Sequence, residues 1–298
     1  MSNAGKVGYI GLGIMGRAAA SNLIDAGYEL VVNNRTASKA DSLVERGARY
    51  GETPADVAAA CDVVFLNVPD TPDVELVLFG KDGIASADGF KGFVIDMSTI
   101  DPGATVKIAA RLTEQGIGFV DAPVSGGEDG AVKGTLSVMA GGTDDAFECA
   151  RPLLEVVGER VTHVGPSGAG QVAKACNQLL VGSNLRAVAE ALLLAERSGL
   201  IDPATMRQAV TGGSADSSVL QNHGLRMLEG NFDAGFKAEL HAKDARIVEA
   251  LAESSGTPVE AFGLAHQALD RLVQSGRGGA DHSMIIEVLR EAAVTKKR

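Results

Sequence analysis

Tryptophan is absent from this 298-residue chain, aromatic residues make up 4% of it, and cysteine occurs three times. Cys61, Cys149 and Cys176 are scattered and odd in number, so neither a disulfide framework nor a metal-ligand spacing is read from them. A reducing, cytoplasmic setting is the expectation. Positive charge is also scarce: 27 Lys and Arg against 38 Asp and Glu leave a formal net charge of −11. Such a chain repels a polyanion overall, which argues against nucleic acid as a partner and leaves room only for local anion sites. No apolar run approaches the ~18–20 residues of a membrane span, and no basic segment followed by an apolar stretch opens the sequence, so neither a membrane partner nor a secretory signal is expected. The five histidines are scattered and are expected to be structural or exposed, with no metal site. Lys296-Lys297-Arg298 is the one clear basic run, read as a solvated end. Ser2-Asn3-Ala4 is read as an expression remnant and left out of the fold.

What is present is a globular composition, 45% hydrophobic and 22% charged, in a chain long enough for two domains. The first half alternates β-rich runs with amphipathic stretches: strands at Lys6–Ile10, Tyr28–Asn33, Asp62–Val68, Phe93–Met97 and Ile117–Asp121, and helices at Met15–Ala26, Ser38–Arg46 and Pro102–Gln115. Thr135–Ala140, a helix Asp144–Val157 and Val161–Val164 complete the pattern. The continuous apolar strands suit a parallel sheet covered on both faces, and the rhythm predicts a doubly wound α/β (Rossmann) domain over 1–166. Gly165-Pro166-Ser167-Gly168-Ala169-Gly170 punctuates the chain. Beyond it no strand is read, and 167–298 is predicted to be all-helical. Its spine is a helix from Gln171 to Ser198, with no Pro and one Gly; about 28 residues span roughly 42 Å. Further helices are expected near Pro203–Val210, Ser218–Glu229, Ala238–Ser254, Pro258–Ser275 and Ser283–Ala293.

Three segments carry chemistry. Gly11-Leu12-Gly13-Ile14-Met15-Gly16 matches the dinucleotide fingerprint and lies between a predicted strand and helix, the context that gives the pattern meaning. After the second strand comes Asn33-Asn34-Arg35-Thr36, with no carboxylate to take a ribose 2′-hydroxyl; Glu29 lies at the wrong end of that strand. Arg35 suits a 2′-phosphate, with Asn34 and Thr36 adding hydrogen bonds, so NADP is preferred over NAD. Asp121-Ala122-Pro123-Val124-Ser125-Gly126-Gly127 follows a strand end, where such sheets bind ligands; Ser125 and the free N–H groups of Gly126 and Gly127 suit a substrate carboxylate, though a plain turn reads as well. On the spine helix Lys174 shares a face with Asn177 and Gln178, ahead of apolar Val181, Leu185 and Val188. A lysine near a helix N-terminus opposes the helix dipole. Burial and that field would favour its neutral form, useful for proton transfer; a snorkelling surface lysine is an equal reading of the same residues.

Taken in order, these segments resemble the 3-hydroxyisobutyrate dehydrogenase family, short β-hydroxyacid dehydrogenases related to 6-phosphogluconate dehydrogenase. Tyr9–Gly16 with Asn22 is similar to the family's opening signature, and Met97-Ser98-Thr99-Ile100 to the segment beside the nicotinamide. Asp121–Gly127 resembles the substrate-carboxylate loop, and Gly168-Ala169-Gly170-Gln171-Val172-Ala173-Lys174 the catalytic motif. Lys243-Asp244, near Phe236, resembles a late pair whose lysine reaches the active site. The resemblance implies an NAD(P)-dependent oxidoreductase for a small 3-hydroxy acid or its semialdehyde, with Lys174 as acid–base catalyst and the site in a cleft between domains. It implies Ser125, Gly126, Gly127, Asn177, Gln178 and Phe236 around the substrate. Gly11, Leu12, Gly13, Ile14, Met15, Asn34, Arg35, Thr36, Val68, Pro69, Ser98, Thr99 and Lys243 fall to the cofactor. Dimers or tetramers through the helical domain are implied too. Many members carry Asn four residues after the lysine; here that position is Gln178, preceded by Asn177, an order shared with some tartronate semialdehyde reductases. Imine reductases share the architecture but generally lack a lysine at this position.

Overall fold

The computed structural model describes residues 5–295, so Ser2-Asn3-Ala4 and Lys296-Lys297-Arg298 lie outside the described residues. The chain divides between Lys174 and Ala175 into two compact units.

The first unit is a nine-stranded sheet flanked by helices. In chain order it runs β1 (Lys6–Ile10), α1 (Ile14–Asp25), β2 (Glu29–Asn33), α2 (Asp41–Val44), β3 (Arg49–Tyr50), α3 (Pro54–Ala60), β4 (Val63–Leu66) and α4 (Thr71–Phe79). It continues through β5 (Phe93–Asp96), α5 (Pro102–Glu114), β6 (Gly118–Asp121), β7 (Val124–Ser125), α6 (Gly127–Lys133), β8 (Leu136–Gly141), α7 (Asp144–Val157) and β9 (Gly158–Gly165). The strand order is β3-β2-β1-β4-β5-β6-β8-β7, with β9 on β8. Every pairing from β3 to β6 is parallel, and β8 runs antiparallel to β6 and β7. The switch point lies between β1 and β4, where the order of connection reverses and ligands of such sheets bind.

The strands read as continuous apolar runs because alternate residues feed two cores. In β4, Phe65 joins the core with Val7, Tyr9 and Val32, while Val64 and Leu66 join Ile10, Val31 and Val94 on the other face. Such burial contributes roughly 1.5–3 kcal/mol per large side chain. Among the helices, α3 was not foreseen although its start is clear: Thr53 caps it and Asp56 closes the reciprocal capping box ahead of Pro54. The helix foreseen at Ser38–Arg46 is instead a 3-10 turn, Ala37–Ala40, followed by the short α2.

One helix, α8 (Ala169–Ser198), runs on past the division, with Lys174 as the last residue of the first unit. By length and composition alone it is apolar enough to cross a membrane, although charged and polar residues interrupt every apolar run in it. In the second unit its apolar side serves a different purpose: Leu185, Val188, Ala189 and Leu192 are buried in that unit's main core. Gly182, midway along it, marks close packing, since a Cβ there would lie 2.8 Å from the Phe262 ring. The unit adds α9 (Pro203–Val210), α10 (Gly224–Glu229), α11 (Ala238–Ser255), α12 (Glu260–Gln274) and α13 (Ile285–Thr295). Ahead of α10, residues Val219–His223 wind as a π-turn rather than an α-helix. The Arg207 guanidinium donates to the carbonyls of Leu220 (3.0 Å) and Gln221 within this turn.

Candidate active site

The glycine loop follows β1, at the switch point. Gly11 has φ +98°, a left-handed turn that suits glycine, and a Cβ there would meet the Asn67 carbonyl oxygen at 2.1 Å. Gly16 sits in the first turns of α1, where a Cβ would lie 2.0 Å from the Gly11 oxygen. Gly13 differs from both. Its backbone (φ −69°, ψ −167°) suits any residue, and an added Cβ meets nothing within 4 Å. Neither conformation nor packing demands glycine at 13; space for a pyrophosphate does. The loop therefore fits the dinucleotide, at the N-terminus of a helix opened by Ile14 and Met15, where partial positive charge favours phosphate.

The turn after β2 braces this loop. Asn34 Oδ1 accepts from Leu12 N at 2.8 Å, and Asn34 Nδ2 donates to the Thr36 carbonyl at 2.9 Å. Asn34 thus shapes the loop through both ends of its amide, and its second Nδ2–H is left for the hydrogen bond to a ligand expected of it. Arg35 is 89% exposed, with Asp73 at 3.9 Å. An ion pair that long and that solvated is weak, and the guanidinium is available to an anionic ligand.

Further along the same sheet edge, Ser98 follows β5. It is buried, its N–H donates to Asp96 Oδ1 at 2.9 Å, and its hydroxyl accepts from Val68 N at 3.0 Å, which ties the ends of β4 and β5 together. Thr99 is half-buried and Pro69 exposed beside these anchors. Ser98 is also held from α8: Gln171 Nε2 donates to the Ser98 carbonyl at 2.9 Å, and Gln171 Oε1 accepts from Ile100 N at 3.1 Å.

Lys174, 8% exposed, donates from Nζ to the Val124 carbonyl at 2.8 Å. The structure thus brings the lysine against the strand that carries Ser125, two segments 50 residues apart in sequence. Ser125 is half-buried, while Gly126 and Gly127 are exposed. Gly127 is not loop but the first residue of α6. Gly126 has φ +143° and a Cβ would sit 2.9 Å from Leu136 Cδ2, so its glycine is required by the fold as well.

In the second unit the remaining predicted residues form two groups. Asn177 Nδ2 donates to Gln178 Oε1 at 2.8 Å, Gln178 Nε2 donates to Asp244 Oδ2 at 2.6 Å, and Lys243 Nζ pairs with Asp244 Oδ1 at 2.8 Å. The amide anchored to Asp244 is Gln178, and Asn177 hangs on it. Phe236 packs elsewhere, its ring 5.5 Å from His241 and 5.3 Å from His282. With His223, these histidines form a cluster that their sequence spacing conceals. His223, Asp281 and His282 offer ligand atoms within 4.8 Å of one another. However, the Asp281 carboxylate accepts from Ser283 N and Oγ, Gly235 N and Phe236 N, with Arg226 Nε at 3.5 Å. That carboxylate organises the 235–236 turn, and the adjacent guanidinium opposes a cation.

The parallel sheet, the glycine loop at its switch point and the lysine on the following helix define a nicotinamide-dinucleotide oxidoreductase of the Rossmann class. Residues 6–165 match the family described as the NAD binding domain of 6-phosphogluconate dehydrogenase. Residues 168–289 match the NAD-binding family of NADP-dependent 3-hydroxyisobutyrate dehydrogenase. The 2-hydroxy-3-oxopropionate reductase of Escherichia coli is 42% identical over 95% of this chain and 97% of its own. The mitochondrial 3-hydroxyisobutyrate dehydrogenase of Mus musculus is 35% identical over 98% and 89%. Among solved structures, a 3-hydroxyisobutyrate dehydrogenase from Salmonella typhimurium superposes with a TM-score of 0.87 at 30% identity, covering 95% of this chain and 99% of that one. The chain belongs to the 3-hydroxyisobutyrate dehydrogenase family of NAD(P)-dependent hydroxyacid oxidoreductases.

Proposed function

We propose that this chain transfers a hydride between NADP and a small 3-hydroxy acid or its semialdehyde, with Lys174 moving the accompanying proton. The observation that carries this is Lys174 Nζ held 2.8 Å from the Val124 carbonyl, next to Ser125. Bound nicotinamide supplies the hydride acceptor, or the donor in reduction. In oxidation a neutral Lys174 amine keeps one N–H on Val124 O and takes the hydroxyl proton on its lone pair as hydride leaves the carbinol carbon. In reduction the ammonium returns that proton to the oxygen. The carbonyl contact keeps Nζ in one place through both protonation states, since either form has an N–H to give. A relative named for 2-hydroxy-3-oxopropionate supports a short semialdehyde acid as substrate. The test is NADP- and NAD-linked turnover across 3-hydroxyisobutyrate, D-glycerate, L-serine, 3-hydroxypropionate, 4-hydroxybutyrate and the corresponding semialdehydes; activity with none of them would end the proposal.

NADP preference rests on Arg35 and on the lack of a carboxylate after β2. Arg35→Asp is expected to weaken NADP binding by ~1.5–3 kcal/mol, the worth of a charged hydrogen bond, and NAD binding far less. Calorimetric titration with each cofactor measures this, and tighter wild-type binding of NAD than of NADP would contradict it.

The carboxylate end of the substrate is assigned to Ser125 and the backbone donors beside it. Ser125→Ala is expected to raise KM with little change in cofactor affinity, and methyl esters should be poor substrates. Steady-state kinetics decides, and equal use of ester and acid would remove the carboxylate from the scheme. Substitutions at Gly126 or Gly127 test nothing cleanly, because both have positive φ. Self-association through the helical unit belongs to the same reading. Leu180, Leu194 and Leu200 of that unit are 61%, 73% and 92% exposed, and sedimentation is expected to show a dimer or tetramer.

A further inference from the structure

We infer that Asp121 and Gln171 are positioning residues that fix the first turn of α8, and thereby set where the Lys174 amine stands; this rests on Lys174 as the acid–base group. Asp121 ends β6 and is fully buried. Its two oxygens reach to the start of α8, 47 and 50 residues on: Oδ1 accepts from Gly168 N at 2.8 Å and Oδ2 from Gln171 N at 3.1 Å. These are N–H groups that a helix leaves unsatisfied at its start. Gln171 then fastens the same turn sideways, its amide bridging the Ser98 carbonyl and Ile100 N. One turn of helix is thus tied to the ends of both β5 and β6, and Lys174 is the next residue but two.

Two glycines make room for this arrangement. A Cβ on Gly170 would lie 2.7 Å from Asp121 Oδ2, and a Cβ on Gly141 would lie 2.7 Å from Oδ1. Gly168, with φ +91°, lets the chain turn into the helix so that its N–H faces the carboxylate. The fold itself thus calls for both glycines of the segment preceding Lys174: a Cβ on Gly170 would meet the Met139 carbonyl oxygen (2.4 Å) as well as Asp121, and Gly168 has a positive φ. Stability alone would be poorly served by this carboxylate. Burial raises Asp121 to about 6 even though the N–H groups of Gly168, Gln171 and Gly170 draw it down, so its charge is carried at neutral pH against a desolvation penalty. A neutral cap would hold the helix without that penalty. What the charged, two-oxygen acceptor adds is a fixed register, and a misplacement near 1 Å at a reacting group costs as much as ~10²-fold in rate.

The test is a double-mutant cycle with Lys174, read on the full-length protein. Asp121→Asn is expected to lower kcat by roughly 10- to 100-fold with NADPH affinity unchanged, and the Gly168 and Gln171 amides should exchange faster with solvent. On a Lys174→Ala background the same substitution is expected to cost nothing further, because a displaced lysine and a missing one are equivalent. Phe147→Leu, in the core of α7, controls for lost stability: it should lower Tm and leave kcat in place. If Asp121→Asn fails to fold, Gln171→Met carries the same cycle, with the same non-additivity expected. Wild-type kcat in Asp121→Asn, or losses that multiply with those of Lys174→Ala, would overturn the positioning role and leave the Lys174 mechanism standing. Full activity of Lys174→Ala alone would overturn both.

Discussion

Lys174→Ala is expected to cut turnover by ~10²–10⁴-fold, the usual contribution of a positioned acid–base group, while the dissociation constant for NADPH stays nearly unchanged. The separation follows from where the parts lie. The dinucleotide loop follows β1, whereas Lys174 is bonded to Val124 on β7. Removing the amine thus withdraws a proton acceptor without touching the pyrophosphate or 2′-phosphate contacts. Lys174→Arg is expected not to restore turnover. A guanidinium keeps the charge and can still donate to Val124 O, but it hardly gives up a proton near neutral pH. The arginine variant therefore separates a lysine needed for its charge from one needed for proton transfer. Stopped-flow hydride transfer and NADPH titration on both variants give the result. Lost cofactor affinity in Lys174→Ala would mark a charge-binding lysine, and full activity would refute the mechanism.

How far the sequence alone carries differs between the two kinds of feature in this protein. Periodicity and glycine placement locate β1, α1, β5, α5, α7 and α8 to within a few residues, because each pairs an apolar pattern with a clear stop. The short elements escape: β3 and β7 have two residues each, too few for an alternation to show, and exist only because a neighbouring strand offers bonds. α3 and α4 are opened by Thr53-Pro54 and Asp70-Thr71-Pro72, but at seven and nine residues they are too short for a helical period to stand out. In the site, Lys174, Ser125 and the glycine loop stand out through motif context. Asp121 and Gln171 sit inside segments singled out for other reasons, but their partners are 47 to 73 residues away in sequence, and nothing local says that a strand-end carboxylate faces a helix start. At Asn34 the residue type suits a phosphate, and the hydrogen bonds to Leu12 and Thr36 add a loop-shaping role that the sequence does not announce. The clustering of His223, His241 and His282 likewise arises from how the turns around Asp281 fold, not from spacing.

Gly13→Val is expected to weaken NADPH binding by ~10²-fold or more, about the loss of two charged hydrogen bonds from backbone to phosphate, with Tm unchanged. The three loop glycines are required for three separable reasons, and only the second concerns a ligand. At Gly16 a Cβ would drive into the Gly11 oxygen at 2.0 Å, so even Gly16→Ala must move α1 relative to β1. A cost of roughly 1–3 kcal/mol in stability follows, as for other overpacked positions. At Gly11 the positive φ adds backbone strain to a clash with Asn67. At Gly13 the extended backbone accepts valine, and its Cβ projects where no protein atom lies within 4 Å. The isopropyl group then occupies space the protein itself leaves open. The pair Gly13→Val and Gly16→Ala should therefore separate cleanly: the first loses cofactor and keeps its melting temperature, the second loses melting temperature first. Thermal melts with and without NADPH report both at once, because a ligand that binds only the folded state raises Tm by an amount that grows with the logarithm of its concentration over its dissociation constant. Wild-type NADPH binding by Gly13→Val would mean that the dinucleotide does not approach this loop, and the assignment of the Rossmann site would have to move elsewhere on the sheet edge.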